Sequence, residues 1–579
     1  MLKATLSASA AAISPGNAFA AVDEPAADAV SATDDASSAG SASLVGSGTA
    51  PDPVKFWNDR AVDLVVLDHT ITVGTLDDTV AIGPAASSRA LGVIHAVIAD
   101  AASYAYKPPY KAQFNKTSPG SIRGDRGLFV GGAAYAIMKY IYRPPVFSDV
   151  VLNGATSQFM MATPGSAAQK AATWAAGVRF GNAKVFTGLW NEADVKARLK
   201  SDPAAYTPPP ARAHIPDPWN CQQGFYGQKW GSITPLVLTK ADVGTFAENE
   251  LKTAPPIYQD ELDLLVAKGS RIAKDAGRWP ARTLGELSVG LFWAYDGTRF
   301  IGTPPLLLNR VVRAVADGDN LGTPATARLL ALCHLAMADA AVVAWEAKWR
   351  VALWRPVVAI QALTAEKRWQ PYGSPRSNRG RSFSGLSVVG VDNPTAAATS
   401  GSSLVGVDNP NVAATQNTAD TLLGASPNNA APLAASPVVP GAYCLSDPEY
   451  SAAAFTPNFP SYPSGHTTFG GACFNSLLLF RSQRGITNPN TVNVTVTSAE
   501  LDGRTTDNYD PPLTRPDSPM TFTRVVEANP AQIDLGALTG SIDASRVLLG
   551  VHWSFDEMDG DTAGRRVGDI VHSRAYAVT

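Results

Sequence analysis

Three short segments place basic side chains and histidines in apolar or glycine-rich surroundings. The first is KWRVALWRP, residues 348–356. Lys348 and Arg355 are seven residues apart, nearly two helical turns, so both cations can project from one helix face. Pro356 is expected to kink or end that face. Taken alone, the segment is more typical of two solvated surface cations beside a tryptophan-rich apolar face.

The second segment is PSGH, Pro463 to His466, followed by a long apolar run. Pro463 and Gly465 predict a turn, and the run predicts a helix whose N-cap lies near Ser464. The N–H groups of Gly465 and His466 then have no acceptor within the helix, and helix N-termini of this kind bind anions. His466 could act there as an acid or a base near neutral pH. A simple capped turn with an incidental histidine is the alternative interpretation.

The third segment is SRVLLGVHWSFD, residues 545–556. Arg546 stands in an apolar stretch, where an unpaired charge is costly, so it requires an anionic partner. His552 and Asp556 are four residues apart, which lets the carboxylate of Asp556 accept one ring N–H of His552. That bond would fix the tautomer and leave the other ring nitrogen as a ligand or nucleophile. A core histidine with satisfied hydrogen bonds is the alternative.

Together the segments supply what a tetrahedral oxyanion requires. Lys348, Arg355 and Arg546 offset the charge of a dianion or trianion, and Ser464 and Gly465 add hydrogen-bond donors. His466 adds an acid or base. His552 is then in a position to attack the central atom of the bound anion.

These motifs, K-x6-RP, PSGH and SR-x5-H-x3-D, resemble the superfamily of vanadium-dependent haloperoxidases and type-2 phosphatidic-acid phosphatases. The resemblance implies an orthovanadate cofactor with His552 as its metal ligand. It also implies a set of oxyanion-binding residues: Lys348, Arg355, Ser464, Gly465, His466 and Arg546. Asp556 and Asp296 are expected to brace His552 and the arginines.

Further residues favour the peroxidases within this superfamily. Trp345 lies three residues before Lys348, and Phe459 lies seven residues before His466. In fungal-type vanadium chloroperoxidases a tryptophan and a phenylalanine occupy these positions beside the halide. Phe292 to Gly297, which contains Asp296, also resembles the chloroperoxidase pattern. Aromatic residues in an apolar helical run are otherwise usually core.

The implied reaction is oxidation of chloride or bromide by hydrogen peroxide to hypohalous acid, which halogenates a small organic acceptor. In this mechanism Lys348 polarises bound peroxide and His466 moves protons. The alternative is a soluble acid phosphatase, in which His552 forms a phosphohistidine and His466 protonates the leaving alcohol. A non-catalytic ligand-binding descendant is a third hypothesis, but the intact signature argues against it.

The elements that position these residues are predicted to be helices. Helical apolar spacing occurs at 87–106, 258–274 and 305–317 and over a long run from Thr323 to about Leu363, and sustained two-residue alternation does not occur. The fold class is therefore all-α with long loops, and the resemblance implies two packed four-helix bundles.

The expected domain organisation has two helical parts. Residues 54–375 form the N-terminal part with the Lys/Arg motif, and residues 441–579 carry the other two motifs. Residues 376–440 read as a low-complexity loop insertion containing the hexamer VGVDNP twice.

Composition excludes two broad classes. The 579 residues carry 47 Lys+Arg and 50 Asp+Glu, a net charge of −3, which argues against nucleic-acid binding by charge. The strongest candidate for a membrane span, 329–345, contains His334 and Asp339, so no integral membrane segment is expected. The expected partners are peroxide, halide and an organic acceptor, and the oligomeric state stays open.

Residues 1–20 resemble a secretory signal ending in Ala18-Phe19-Ala20, and 21–53 read as a disordered linker. The sequence thus favours a secreted or periplasmic protein, with an organelle or the cytoplasm as alternatives.

Four cysteines form no CxxC pair. Cys333 and Cys473 are predicted to be buried thiols, and disulfide pairing stays open.

The five histidines outside the three motifs divide by context. His95 and His334 lie on apolar helix faces and are predicted to belong to the core. His69, His214 and His572 have no such context and are predicted to lie at the surface.

Overall fold

The computed structural model describes most of the chain between residues 50 and 578. The described residues are 50–70, 79–144, 147, 151–202, 206, 212–220, 223–375, 377, 445, 454–492, 494, 496, 498–507, 522–525 and 533–578. The predicted signal sequence 1–20, nearly all of the predicted linker 21–53 and nearly all of the predicted insertion 376–440 lie outside them. So do Cys221 and Cys444.

The described residues form sixteen α-helices and six short strands. The helices are α1 (Pro53–Asp68), α2 (Gly83–Tyr106), α3 (Arg126–Ile141), α4 (Asn153–Ala162), α5 (Ala167–Gly181), α6 (Lys184–Thr187), α7 (Glu192–Leu199), α8 (Lys240–Glu248), α9 (Gln259–Lys268), α10 (Leu284–Phe292), α11 (Pro304–Gly318), α12 (Thr323–Val351), α13 (Pro356–Leu363), α14 (Gly465–Gln483), α15 (Leu535–Leu548) and α16 (Ser554–Arg574). The all-α prediction is confirmed.

The strands are β1 (Ser374–Pro375), β2 (Ala454–Phe455), β3 (Thr491–Val492), β4 (Asp502–Asp507), β5 (Phe522–Val525) and β6 (Ile533–Asp534). They form three antiparallel pairs, β1–β2, β3–β6 and β4–β5. In the first pair Ser374 lies opposite Phe455, which fastens residue 374 to the segment leading into the PSGH motif. Sequence periodicity did not predict these strands because most are too short to show an alternation.

Local sequence sets where the helices begin and end. Asp52 caps α1 by accepting the N–H groups of Val54 and Lys55 at 2.9 Å, as N-cap carboxylates do. The predicted helix over 258–274 ends earlier, at Lys268, and Gly269 follows it. The ranges 87–106 and 305–317 lie inside observed helices, as predicted.

The predicted run from Thr323 to about Leu363 is two helices rather than one. Helix α12 ends at Val351 because Ala352 adopts a left-handed conformation with φ of 50°. Arg355 is the N-cap of α13, and Pro356 fills its first position. The prediction that Lys348 and Arg355 share one helix face is therefore wrong: they belong to consecutive elements across a sharp break.

The helices pack as two groups. Helices α1, α2, α3 and α5 contact one another in the N-terminal half, and α12, α14, α15 and α16 contact one another in the C-terminal half. The two groups meet where α2 packs along α12. This arrangement agrees with two joined bundles, and the three sequence motifs all lie in or beside the second group.

Helix α12 is the one described helix long and apolar enough to cross a membrane, and its apolar window is entirely buried inside the protein. Its Asp339 is buried too, and the carboxylate accepts three backbone N–H groups, those of Leu236, Val237 and Leu238, at 2.6–2.8 Å. Those contacts tie the centre of α12 to the neighbouring loop. Cys333 of α12 and Cys473 of α14 are free and buried, as predicted.

Glycines bring α14 and α16 into backbone contact. A Cβ added at Gly564 would lie 2.3 Å from the carbonyl oxygen of Thr468, and one at Gly471 would lie 2.5 Å from that of Asp561. Close approach of this kind is open only to glycine. It holds the first turn of α14 against the first turn of α16, where the Ser464 N–H donates to the Asp556 carbonyl at 2.9 Å.

We expect Gly564→Ala to destabilise the second bundle because the new methyl group must push the two helices apart. Overpacking typically costs about 1–3 kcal/mol, measurable as a fall in the free energy of unfolding in urea. Gly540→Ala is the matched control, because a Cβ there meets nothing within 4 Å. Equal effects of both substitutions would contradict the close-contact account.

Candidate oxyanion-binding site

Lys348 holds the chain segment that precedes α14. Its ammonium group is fully buried and donates to the carbonyl oxygens of Pro460 and Ser461, each at 2.9 Å, and to that of Pro463. Burial and then the charge of Arg355 lower the pKa of Lys348 well below its usual value. Three acceptors match the three N–H groups of the charged form, so a direct contact with an anion requires the exchange of one of these bonds.

Arg355 reaches the same segment from the start of α13. Its Nε donates to the Phe459 carbonyl at 2.9 Å, and its Nη1 donates to the Val551 carbonyl at 2.7 Å. Burial lowers its pKa to about 9, where the group still carries its charge at neutral pH. Its Nη2 is buried without a hydrogen-bond partner among the described residues. A buried guanidinium with a free N–H₂ group is prepared for an anion.

Arg546 is fully buried on α15 and only partly paired. Its Nη2 donates to both carboxylate oxygens of Asp296, at 3.0 and 2.9 Å, and to the Ser374 hydroxyl at 3.1 Å. Its Nε and Nη1 have no hydrogen-bond partner in the described part of the chain. The predicted bracing role of Asp296 therefore has a geometric basis, and two donor nitrogens remain for another ligand.

His552 is oriented from both sides. Its Nδ1 lies 2.9 Å from Asp556 Oδ2, and its Nε2 lies 3.0 Å from Arg355 Nη1. Because Arg355 is a donor only, Nε2 must be the unprotonated nitrogen and Nδ1 must carry the proton. Burial and then the charges of Arg355, Lys348 and Arg546 lower the pKa of His552 well below its usual value. The imidazole is thus neutral, with a lone pair at Nε2.

Asp556 is itself fixed by three donors. Its Oδ2 accepts from His552, from the hydroxyl of Ser461 and from the Trp553 N–H at 3.1 Å. Burial raises the pKa of Asp556 to about 7, against the opposing effects of the Ser461 hydroxyl, the charge of Lys348 and the Trp553 N–H.

The PSGH motif begins α14 as predicted. Ser464 is the N-cap, but its side chain makes no capping hydrogen bond. His466 Nε2 lies 2.8 Å from the Ala294 carbonyl and so carries a proton, while Asp296 Oδ1 lies 3.7 Å away. Burial and then the charge of Arg546 lower the pKa of His466 to about 3. At neutral pH it is therefore a neutral imidazole whose Nδ1 can accept a proton.

Trp345 and Phe459 form one aromatic wall beside these cations. Their ring centroids lie 5.1 Å apart, and Lys348 Nζ lies 5.0 Å from the Phe459 ring. Arg355 lies over the same ring at 5.0 Å. The buried Nε1 of Trp345 has no hydrogen-bond partner among the described residues. The structure therefore brings the two predicted halide-region residues together at the edge of the site.

Sequence reasoning missed several side chains of this site. Ser461 precedes the PSGH motif and escaped attention because a serine in a proline-rich turn has many uses. Ser374 comes from a distant strand and has no local sequence pattern. Glu557 directly follows Asp556 and is buried. The adjacent acidic pair Asp556-Glu557 was the available indication in the sequence, although such pairs usually face solvent.

The structure confirms the predicted burial of two other histidines and contradicts the predicted exposure of two more. His95 and His334 stack in the core with ring centroids 4.1 Å apart, as predicted. His69 and His214 are each only 1% exposed, so the surface prediction is wrong for both. His69 is buried because it bridges two helices: its Nδ1 donates to the Val65 carbonyl and its Nε2 accepts the Gly83 N–H, both at 2.8 Å. His214 packs against the Phe225 and Trp349 rings.

Comparisons with known proteins show what the chain is similar to. Residues 328–442 and 439–579 match the family model described as the VCPO second helical-bundle domain. Vanadium chloroperoxidase of Curvularia inaequalis is 26% identical over 565 residues, 87% of this chain and 78% of that protein. The crystal structure of the first bacterial vanadium-dependent iodoperoxidase aligns with a TM-score of 0.56 at 16% identity, covering 92% of this chain and 98% of that chain. The C-terminal part of the chain thus matches a haloperoxidase domain model, and the whole chain is similar to a vanadium chloroperoxidase in sequence and to a vanadium iodoperoxidase in fold.

We expect Arg355→Ala to weaken the binding of orthovanadate and phosphate. Charge-assisted hydrogen bonds to a buried anion are worth about 1.5–3 kcal/mol, or roughly 10- to 150-fold in affinity. Equilibrium dialysis of each anion measures the loss. Arg350→Ala is the control, since Arg350 lies close by on α12 but pairs with Glu346 and backbone carbonyls. Unchanged affinity in Arg355→Ala would remove this side chain from the site.

Proposed function

We propose that the protein is a vanadate-dependent haloperoxidase that oxidises chloride or bromide with hydrogen peroxide and so halogenates small organic acceptors. The supporting observation is the set of buried, unpaired donor nitrogens on Arg355 and Arg546, together with the lone pair of His552 Nε2, which lies 3.0 Å from Arg355 Nη1. Similarity to vanadium haloperoxidases supports the choice of peroxidase chemistry over phosphate-ester hydrolysis.

The residues fit orthovanadate. Arg355 and Arg546 would hold its oxygens together with Ser464 and the N–H groups of Gly465 and His466, and His552 Nε2 would be the metal ligand. Lys348 would add positive charge, and it would contact the anion directly after exchanging one of its carbonyl partners. When bound, vanadate acts as a Lewis acid that activates peroxide towards attack by halide without a change of oxidation state.

The chain's own contribution to catalysis is charge, orientation and proton transfer. The His552–Asp556 hydrogen bond keeps the Nε2 lone pair directed at the anion. The unprotonated Nδ1 of His466 can accept a proton from incoming peroxide, and Asp296, 3.7 Å from Nε2, stabilises the resulting imidazolium. The buried cations stabilise negative charge on oxygen more strongly than exposed ones would.

The aromatic wall of Trp345 and Phe459 is the proposed approach route for halide. It offers an apolar surface next to buried cations, so a halide ion can lose water while it remains near positive charge. It also presents no side-chain carboxylate that would repel the ion.

The assay that tests the function measures halogenation of a dye acceptor by metal-free protein with peroxide and bromide or chloride. We expect turnover only after addition of orthovanadate, suppression by phosphate, and loss of turnover in His552→Ala. If vanadate gives no turnover, while the protein hydrolyses a phosphomonoester and vanadate inhibits that hydrolysis, the peroxidase proposal is wrong and the enzyme is a phosphatase.

We expect Phe459→His to reduce chloride turnover at least tenfold relative to bromide turnover. The imidazole binds water and competes with the halide for the cations. The barrier to halide oxidation therefore rises most for chloride, the more strongly hydrated ion. A tenfold change corresponds to about 1.4 kcal/mol. The ratio of kcat/KM values for the two halides measures this change. Phe469→Leu is the control, because the Phe469 ring also lies near Trp345, with centroids 6.3 Å apart, but is not part of the wall. It should leave the ratio unchanged, and an unchanged ratio in Phe459→His would refute the role of the wall.

A further inference from the structure

The loop that follows α10 supplies acceptors to two residues of the site. Residues 293–298 form this segment, the Asp296 loop. The Ala294 carbonyl accepts the His466 Nε2–H at 2.8 Å, and the Asp296 carboxylate accepts from Arg546 Nη2 at 3.0 and 2.9 Å. Because a carbonyl oxygen is only an acceptor, the first bond puts the ring proton of His466 on Nε2 and leaves Nδ1 unprotonated. The Asp296 loop therefore sets both the tautomer of His466 and the pairing of Arg546.

Tyr295, between these two acceptors, has a backbone conformation that a tyrosine rarely adopts. Its φ is 41°, in the left-handed region, and its side chain is fully buried. In a bulky residue this conformation is strained, and it persists only where surrounding contacts enforce it. The Asp296 carboxylate also lies 3.7 Å from His466 Nε2, so both acceptors flanking Tyr295 reach the same imidazole. The contacts that enforce the turn at Tyr295 therefore also fix the two acceptors.

Those contacts come from a distant part of the chain. Residues 498–500 lie between α14 and α15 and form the clasp. The Tyr295 hydroxyl accepts the Ala499 N–H at 2.8 Å, and the Ser498 hydroxyl donates to the Phe292 carbonyl at 2.7 Å. All three clasp residues are buried, so water does not compete for these bonds. The clasp thus holds the last residue of α10 and the strained residue of the Asp296 loop together.

A third contact of the clasp reaches the far end of the Asp296 loop. Thr298 Oγ1 lies 3.5 Å from Glu500 Oε1, and Glu500 Oε2 accepts the hydroxyl of Ser377. Glu500 is fully buried between these two hydroxyl groups. The clasp is therefore anchored by its own polar contacts and touches the loop on both sides of Asp296.

We propose that Tyr295 is a positioning residue for the haloperoxidase reaction. Held by the clasp, it keeps the ring proton of His466 on Nε2, so that Nδ1 stays available as the base, and it keeps Arg546 paired at one nitrogen. It acts through Ala294 and Asp296 and does not belong to the set of residues that would hold the anion. This inference rests on the proposed haloperoxidase function.

Tyr295→Phe tests the proposal because it removes one oxygen atom and keeps the ring. The Ala499 N–H then loses its acceptor, and we expect the Asp296 loop to relax. The value of kcat should fall about 10- to 100-fold, the scale of a small misplacement of a reacting group, while KM for halide changes by less than about threefold. The fold-change should be smaller in a His466→Ala background, because a base that is absent cannot be misplaced. An equal fold-change in both backgrounds would contradict the route through His466.

Nitrogen NMR of selectively labelled histidines gives a readout that does not depend on turnover. The chain has seven histidines, and His466→Ala identifies the signals of His466. At pH 7 the vanadate-free wild-type protein should show His466 as one tautomer, with its proton on Nε2. Tyr295→Phe should show a mixture of both tautomers. An unchanged single tautomer in Tyr295→Phe would refute the proposal.

Tyr576→Phe is the matched control. Tyr576 is also a buried tyrosine with a left-handed backbone, φ of 50°, and its hydroxyl donates to the Ala96 carbonyl at 2.9 Å. Its own carbonyl accepts from Arg328, which lies about 30 Å before Lys348 along α12. We expect Tyr576→Phe to leave kcat and the His466 tautomer unchanged. Losses equal to those of Tyr295→Phe would mean general destabilisation and would overturn the positioning role.

Ser498→Ala is the second variant, and it carries the test if Tyr295→Phe does not fold. It removes the donor to the Phe292 carbonyl, and we expect the same loss of kcat and the same mixture of His466 tautomers. If wild-type protein halogenates and both variants match it in kcat and tautomer, the positioning role fails and the haloperoxidase stands. If wild-type protein shows no vanadate-dependent turnover, the proposed function fails, while the tautomer measurement still decides whether the clasp positions His466.

Discussion

The rest of this structure depends on one constraint, the burial of three cations in the same site. They are Lys348, Arg355 and Arg546. Burying a charge is costly unless it is paired. The pairing here is incomplete, because Asp296 binds one nitrogen of Arg546 and Asp556 serves His552 rather than a cation. An excess of positive charge therefore remains, and a multiply charged oxyanion is the group that would neutralise it.

The fold works to hold these cations in place against their mutual repulsion. Lys348 is held by the carbonyls of the turn before α14, Arg355 by Phe459 and Val551, and Arg546 by Asp296 and Ser374. The glycine contacts between α14 and α16 then fix the PSGH turn against Asp556. A rigid framework of this kind keeps donor nitrogens directed at an anion before the anion arrives, which is what electrostatic catalysis requires.

Much of this could be predicted from the sequence. The motif spacings singled out the cations, both site histidines and Asp556, and apolar periodicity gave the helical class. What escaped prediction depends on contacts between distant segments: the break at Ala352, the Ser374–Arg546 hydrogen bond, and the burial of His69 and His214. The partners of Lys348 could not be predicted either. Its type and position were evident from the motif, but its three carbonyl partners depend on how the 459–463 segment folds back. The same holds for the burial of Glu557, since only the packing of α15 and α14 makes an apparently exposed glutamate a buried one.

A crystal structure of the protein soaked with orthovanadate would test the central claim most directly. The account predicts one anion per chain at His552 Nε2, with Arg355 Nη2 and the two free nitrogens of Arg546 donating to its oxygens, and with the Nδ1–Asp556 bond intact. An anion bound elsewhere, or a site that stays empty with Arg355 still on His552 Nε2 at saturating vanadate, would contradict it.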